Sequence, residues 1–292
     1  MTNYSPLRYP GGKGKIVPYF KQVFRDNHLC DGVYVEPYAG GASVALSLLL
    51  DGYASKVIIN DIDRSIFAFW HAMLNETDKF CARIENTPVT IKIWKEQTSK
   101  QRLKAKCNLL DLGFSTFFLN RTNRSGILSG GVIGGLKQAG DWKINARYNK
   151  EELIRRIERI ARYRKRIELH NLDALELIGT VQRTLPAKSL IYLDPPYYIK
   201  GRALYLNHYA ENDHRKIFEK LQKIKRVRWI VTYDDVKAIR DMYARYKQKR
   251  YGLQYSACTS TVGQEMMIFS DNLQVTKSPV LIQSIPNGPR IA

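Results

Sequence analysis

The sequence predicts an α/β protein: one mostly parallel sheet assembled from both ends of the chain and interrupted by a basic, mostly helical insert. Three observations predict it. "VYVEPYAGGASVALSLLL" followed by "KVIINDID" reads as strand, glycine turn, apolar helix and second strand. Strand signals return late, as "IELHNLDALELI", "SLIYLDPPYY", "VRWIVTYDD" and "EMMIFS". Residues 76–165 read instead as short helical segments around the glycine-rich "SGILSGGVIGG". The expected organisation is a discontinuous sheet domain over 1–75 and 166–275, an insert over 76–165 and a loosely held tail over 276–292.

The elements follow in order. "RYPGGKGK" opens with a glycine turn that is not a P-loop, because GxxxxGK[ST] is absent. Val33 to Val35 form a strand, Gly40 and Gly41 let the backbone turn sharply, and Ser43 to Leu50 form a helix. The next strand, Val57 to Ile59, leads to Asp61, twenty residues past Gly41. Closing the insert, "KEELIRRIERIARYRKRI" carries Leu153, Ile154, Ile157, Ile160 and Ala161 at helical spacing. Asp173 precedes "ALELI", where it can cap a helix or accept from a ligand. Leu190 to Leu193 form a short apolar strand, and Asp194 stands at its carboxyl end, where open α/β sheets bind ligands. Pro195 and Pro196 then fix the turn ahead of Tyr197 and Tyr198.

The 292 residues are 44% hydrophobic and 25% charged, an ordinary globular balance. No apolar run approaches the ~20 residues needed to cross a bilayer, and the first residues lack an apolar signal core. Cys30, Cys81, Cys107 and Cys258 are scattered, with no CxxC pair, so reduced thiols, a cytoplasmic location and no metal site are expected. Charge is the unusual quantity: 47 Lys and Arg against 27 Asp and Glu leave +20. The insert alone holds 20 Lys and Arg against 9 Asp and Glu, so about a third of the chain carries over half the net charge. Such an excess favours a polyanionic partner, nucleic acid above all.

The glycine turn after the first strand bounds the cofactor. Gly40-Gly41-Ala42-Ser43-Val44-Ala45 lacks the GxGxxG spacing of nicotinamide enzymes, so hydride transfer is disfavoured. Glu36, just before the turn, would repel a pyrophosphate but suits a cofactor bearing an amino group. S-adenosylmethionine has an ammonium, a sulfonium and a ribose but no phosphate, and Asp61 is placed to accept from ribose hydroxyls.

Four elements now stand in one order: "RYPGGK", "EPYAGGASV", "NLDALELI" and "YLDPPYY". Together with "FFLNRTNRSGIL", "YNKEELIRRI", "HYAENDHRKIFEKL" and "RWIVTYDD", the chain resembles the D12 class of DNA adenine-N6 methyltransferases over roughly residues 5 to 270. The resemblance implies a Rossmann-like S-adenosylmethionine-dependent methyltransferase sheet, with S-adenosylmethionine as cofactor and double-stranded DNA as partner. It carries cofactor contacts onto Tyr9, Pro10, Gly11 and Lys13, onto Glu36, Tyr38, Gly40 and Gly41, onto Asp61 and Asp173, and onto Asp194. Tyr38 stands where the family usually has Phe, and Ala174 where an aromatic often follows the Asp.

The same resemblance assigns the chemistry to Asp194, Pro195, Pro196 and Tyr197. An adenine amine is a poor nucleophile because its lone pair is delocalised into the ring. If the Asp194 carboxylate and the Pro195 carbonyl both accept from it, the nitrogen is drawn towards tetrahedral geometry and can attack a methyl in line. The base must leave the duplex first, and Tyr197 would stack on it. Within the insert, the implied recognition region, "NRTNRSG" offers Asn120, Arg121, Asn123 and Arg124 as DNA contacts; it departs from the "NRxxxNGL" form of the GATC enzymes. Cytosine-N4 methylation, RNA methylation and a DNA-binding protein with a decayed site stand as alternatives. A restriction endonuclease is a candidate partner, membranes are not, and a single recognition insert suits a monomer.

Overall fold

The computed structural model describes residues 4–8, 13–198, 209–255 and 261–275. The expected contacts Tyr9, Pro10 and Gly11, and the tail 276–292, lie outside the described residues.

Seven strands form one sheet: β1 (Gly32–Glu36), β2 (Ala54–Asn60), β3 (Ile167–His170), β4 (Ser189–Leu193), β5 (Arg228–Asp234), β6 (Lys247–Tyr255) and β7 (Thr261–Phe269). Their order is β3-β2-β1-β4-β5-β7-β6. β1 through β5 pair in parallel, and β7 runs antiparallel between β5 and β6. The strand order reverses between β1 and β4, which opens a crevice at their carboxyl ends. Both ends of the chain contribute strands to the sheet, as the sequence predicts; β6 was not legible. Its polar start, Lys247 to Arg250, reads as surface, and it lies at the sheet's edge.

Side chains alternate across the sheet. Tyr34, Leu190, Tyr192, Met267 and Phe269 face one apolar cluster, while Val35, Ile191, Leu193, Met266 and Ile268 face the other. The second cluster is closed by α8 (Ala174–Val181), α9 (Glu211–Gln222) and α10 (Lys237–Met242). The first is closed by α1 (Val17–Asp26), α2 (Ser43–Leu50) and α3 (Arg64–Asn75), and beyond them by the segment expected to be an insert.

That segment folds as α4 (Thr77–Asn86), α5 (Ile91–Arg102), α6 (Leu109–Thr122) and α7 (Lys150–Ala161) around the glycine-rich loop. Its apolar residues Phe80, Ile84, Phe114, Phe117, Leu153 and Ile157 join the same cluster as Phe20 and Trp70. Phe117 stacks on Phe69 at 6.1 Å. Gly113 lets α6 approach α3 so closely that a Cβ there would lie 2.4 Å from the Ala68 carbonyl oxygen. Residues 76–165 are therefore a third layer on the sheet's core, rather than a unit cored by itself.

Candidate active site

The β1–α2 turn is built by backbone geometry. Gly40 and Ala42 adopt left-handed φ values of 46° and 48°, a conformation glycine adopts readily and alanine at a cost. Three bonds hold the turn: Gly40 N–H donates to Asp61 Oδ2 at 2.9 Å, Ala39 N–H to the Asn60 carbonyl at 2.8 Å, and the Trp70 indole to the Gly40 carbonyl at 2.9 Å. Asp61 also accepts from Asp63 N–H at 2.9 Å, so its carboxylate fixes two backbone turns. Burial pushes its pKa up to about 6 against these N–H donors. Asn60, missed in the sequence, ties the loops after β1 and β3 together through Pro37 and Leu172.

Glu36 ends β1 and is 4% exposed. Its Oε2 has no hydrogen-bond partner among the described residues. Burial, then the nearby Asp194 charge, pushes its carboxyl well above the usual range. A buried carboxylate oxygen without a donor, beside a glycine turn at the switch crevice, fits a ligand that brings a cation. S-adenosylmethionine carries one as its ammonium. Tyr38 stands near the turn, its hydroxyl 3.2 Å from that of Tyr209. Asp173 is exposed and caps α8, its Oδ1 accepting from Leu175 N–H at 2.8 Å and Glu176 N–H at 3.4 Å; the capping reading describes what Oδ1 does.

Asp194 follows β4 directly. Thr232 of β5 donates to its Oδ1 at 2.8 Å and is 3.0 Å from the Tyr192 hydroxyl. With the carboxylate ionised, Thr232 gives its one hydrogen to Asp194 and takes Tyr192's. Lys13, expected at the cofactor, places Nζ 3.1 Å from the same Oδ1. Burial pushes the Asp194 carboxyl upward, Lys13 opposes, and Glu265 adds to the rise. Pro195 is buried, Pro196 half-buried, and Tyr198 N–H latches the turn to Asp234 at 2.8 Å. The Tyr197 hydroxyl donates to Glu265 at 2.5 Å. Glu265 and Tyr251 were not foreseen as site residues; the one available signal was a lone acid in the apolar run "EMMIF".

The four residues expected to contact DNA lie in different surroundings. Asn120 and Asn123 are buried, and their amides serve the backbone. Asn120 accepts from Arg8 N–H and donates to the Arg8 carbonyl, both at 2.7 Å, and to the Gly126 carbonyl at 2.9 Å. Asn123 donates to the Ile127 and Leu128 carbonyls and accepts from the Trp94 indole. In this structure these contacts hold local backbone and the Trp94 ring. Arg121 donates through Nε to the Arg147 carbonyl at 2.8 Å; burial, with Arg8 and Arg156 nearby, pulls its pKa down to about 10. Arg124 is exposed.

The seven-stranded switch-point sheet thus carries an α/β site with a donor-ringed carboxylate, Asp194, and a buried one, Glu36, whose Oε2 has no described partner. Over residues 9–256 the chain matches the D12 class N6 adenine-specific DNA methyltransferases, and it belongs to that family. It is an S-adenosylmethionine-dependent enzyme that methylates adenine N6 in DNA, so the cytosine and hydride-transfer readings fall away. Type II methyltransferase M.MjaIII of Methanocaldococcus jannaschii is 21% identical over 241 residues, which are 74% of this chain and 80% of that one. Among solved structures, the rRNA methyltransferase aviRa of Streptomyces viridochromogenes matches with a TM-score of 0.38 and 12% identity, over 87% of this chain and 83% of that one. An S-adenosylmethionine-dependent methyltransferase of Agrobacterium tumefaciens also gives 0.38, with 9% identity, over 87% and 61%. No described helix is long and apolar enough to cross a membrane.

Proposed function

We propose that this chain methylates an adenine flipped out of double-stranded DNA within a specific sequence, with Asp194 as the catalytic acceptor of the target amine. The observation carrying this is the Asp194 carboxylate itself, fixed by Thr232 at 2.8 Å where the sheet's switch crevice opens. Bound beside it, the cofactor supplies an electrophilic sulfonium methyl. Asp194 and the Pro195 carbonyl accept the N6 hydrogens, localise the lone pair on nitrogen and offset the positive charge that develops there. The Tyr197 ring, tethered through its hydroxyl, forms a wall against which the base stacks. Glu36 accepts the cofactor's ammonium. The glycine turn of Gly40 and Gly41, with Tyr38, lines its path, and Asp61 accepts from its ribose. Asp173 receives the adenine amine on the carboxylate edge its cap does not use.

Residues 76–165 form the target-recognition region. Arg121 and Arg124, joined by Arg8 and Arg147, supply its phosphate- and base-facing cations. Burial, then the Arg147 guanidinium nearby, pulls the Arg8 pKa down, and a phosphate seated beside Arg8 offsets that repulsion. A restriction endonuclease as partner, a cytoplasmic location and action as a monomer complete this reading; similarity to a type II methyltransferase supports the first.

The test is methyl transfer from labelled S-adenosylmethionine to unmethylated duplex DNA, followed by nucleoside analysis and sequencing of the modified sites. Label confined to N6-methyladenine at one short sequence is expected. Label scattered over all adenines, or present only on single strands, would overturn site-specific action on the duplex.

A further inference from the structure

Glu265 is 1% exposed and sits on β7, yet its carboxylate is not spare. Oε1 accepts from the Tyr197 hydroxyl at 2.5 Å; Oε2 accepts from the Tyr251 hydroxyl at 2.6 Å and from Lys13 Nζ at 3.1 Å. Lys13 is itself 5% exposed and reaches Asp194 Oδ1 at 3.1 Å and the Tyr197 hydroxyl at 3.3 Å. One ammonium therefore bridges a buried carboxylate, Glu265, and a half-buried one, Asp194. Burying such charges costs several kcal/mol each, and a well-packed apolar set is often at least as stable. The arrangement asks for a reason beyond stability.

Its geometry supplies one. An ammonium N–H on Asp194 is the same kind of bond that the target amine must make there. Lys13 and Thr232 both lie on Asp194 Oδ1, so an amine that is to use that oxygen must displace the ammonium. To vacate it, Lys13 requires a second anionic seat within reach, because a buried cation left without a partner is strongly unfavourable. Glu265 is that seat, and through Tyr197 it also fixes the ring proposed to meet the base.

We infer that Glu265 is a positioning residue for methyl transfer: it holds the Lys13 ammonium when the incoming amine displaces it from Asp194, and it anchors Tyr197. This inference rests on the assignment of Asp194 as the amine acceptor.

The test is Glu265→Gln, measured by single-turnover methylation alongside binding and a pH profile. The rate is expected to fall about ten- to hundredfold, with cofactor and DNA affinities unchanged within about twofold. The acid limb of the profile moves to lower pH, because the Glu265 charge that raises the Asp194 pKa is gone. In a Lys13→Met background the same substitution costs much less, since no ammonium then needs seating. Glu265→Asp keeps the charge but draws it back, so it keeps the wild-type acid limb while losing about three- to tenfold in rate; it carries the test if the Gln variant does not fold. Wild-type rate in either variant, or an equal loss with and without Lys13, overturns the inference. A failure of Asp194→Ala to lower the rate rejects the Asp194 assignment instead, so the two failures are distinguishable.

Discussion

Glu36 ends β1 and Asp194 follows β4, so the two carboxylates flank the point where the sheet's strand order reverses. Their surroundings divide the work. Glu36 Oε2 has no described partner, and burial disfavours its charge until a cation arrives. Asp194 is already held by a hydroxyl and an ammonium, so it is aimed before a substrate enters. The roles proposed for them follow that difference: the cofactor's cation at Glu36, the base's amine at Asp194.

Asp194→Ala should lower the single-turnover rate by about 10³-fold, the scale seen when a preorganised charge-stabilising group is removed. DNA affinity should stay measurable, because the basic loop does not depend on this carboxylate. Rapid-quench methylation and a binding titration on one preparation read both. A rate within tenfold of wild type would sink the assignment.

Thr232→Val isolates the positioning of that carboxylate. Valine keeps the shape but removes the donor to Asp194 and leaves the Tyr192 hydroxyl without its acceptor. The cost should be about 1–3 kcal/mol of stability, from the buried phenol left unsatisfied, and about tenfold in rate from the freed carboxylate. Denaturant unfolding and turnover assays check them separately. A stability loss at unchanged rate would show that Asp194 needs no aiming.

Asp61 gives a pH signature with two opposite signs. As a ribose acceptor it acts when ionised, so cofactor affinity holds above about 6 and weakens as pH falls through that value. In the limit of one proton the Kd rises about tenfold per further pH unit. The ligand-free protein behaves the other way. A carboxyl whose folded pKa is raised contributes stability that is fully present below its unfolded value of 3.8 and lost as pH rises through about 6. Calorimetric titration and melting curves over that window measure the two; a Kd flat from pH 7 to pH 5 would remove Asp61 from the cofactor site.

Much of this was legible because the site hangs on strand ends. Short continuous apolar runs placed β1, β4 and β5, and with them Glu36 and Asp194, since a residue ending a buried parallel strand has little freedom of position. Glu265 was not legible. Its contacts lie 252 residues away at Lys13 and 68 away at Tyr197, and only the antiparallel placement of β7 beside β5 brings them together. The burial of Asn120 and Asn123 was not legible for a related reason. Asn beside a polar, glycine-rich loop reads as a surface donor, yet Asn120 at the end of α6 and Asn123 at its C-cap satisfy carbonyls of that loop and of Arg8.

That reversal yields a paired prediction about how DNA is held. Arg124→Ala removes an exposed cation proposed to face phosphate, so it should weaken binding and reduce the slope of log K against log salt by about 1. Asn120→Ala should do neither directly. It leaves the Arg8 N–H and two carbonyls without their partner, with an expected loss of about 3 kcal/mol in stability, and an unchanged salt slope, because an amide releases no counterions. Salt-dependent binding titrations and denaturant melts on both variants separate the roles. If Asn120→Ala melts like wild type but binds one specific sequence less selectively, the amide reads DNA after all and the loop must open to let it.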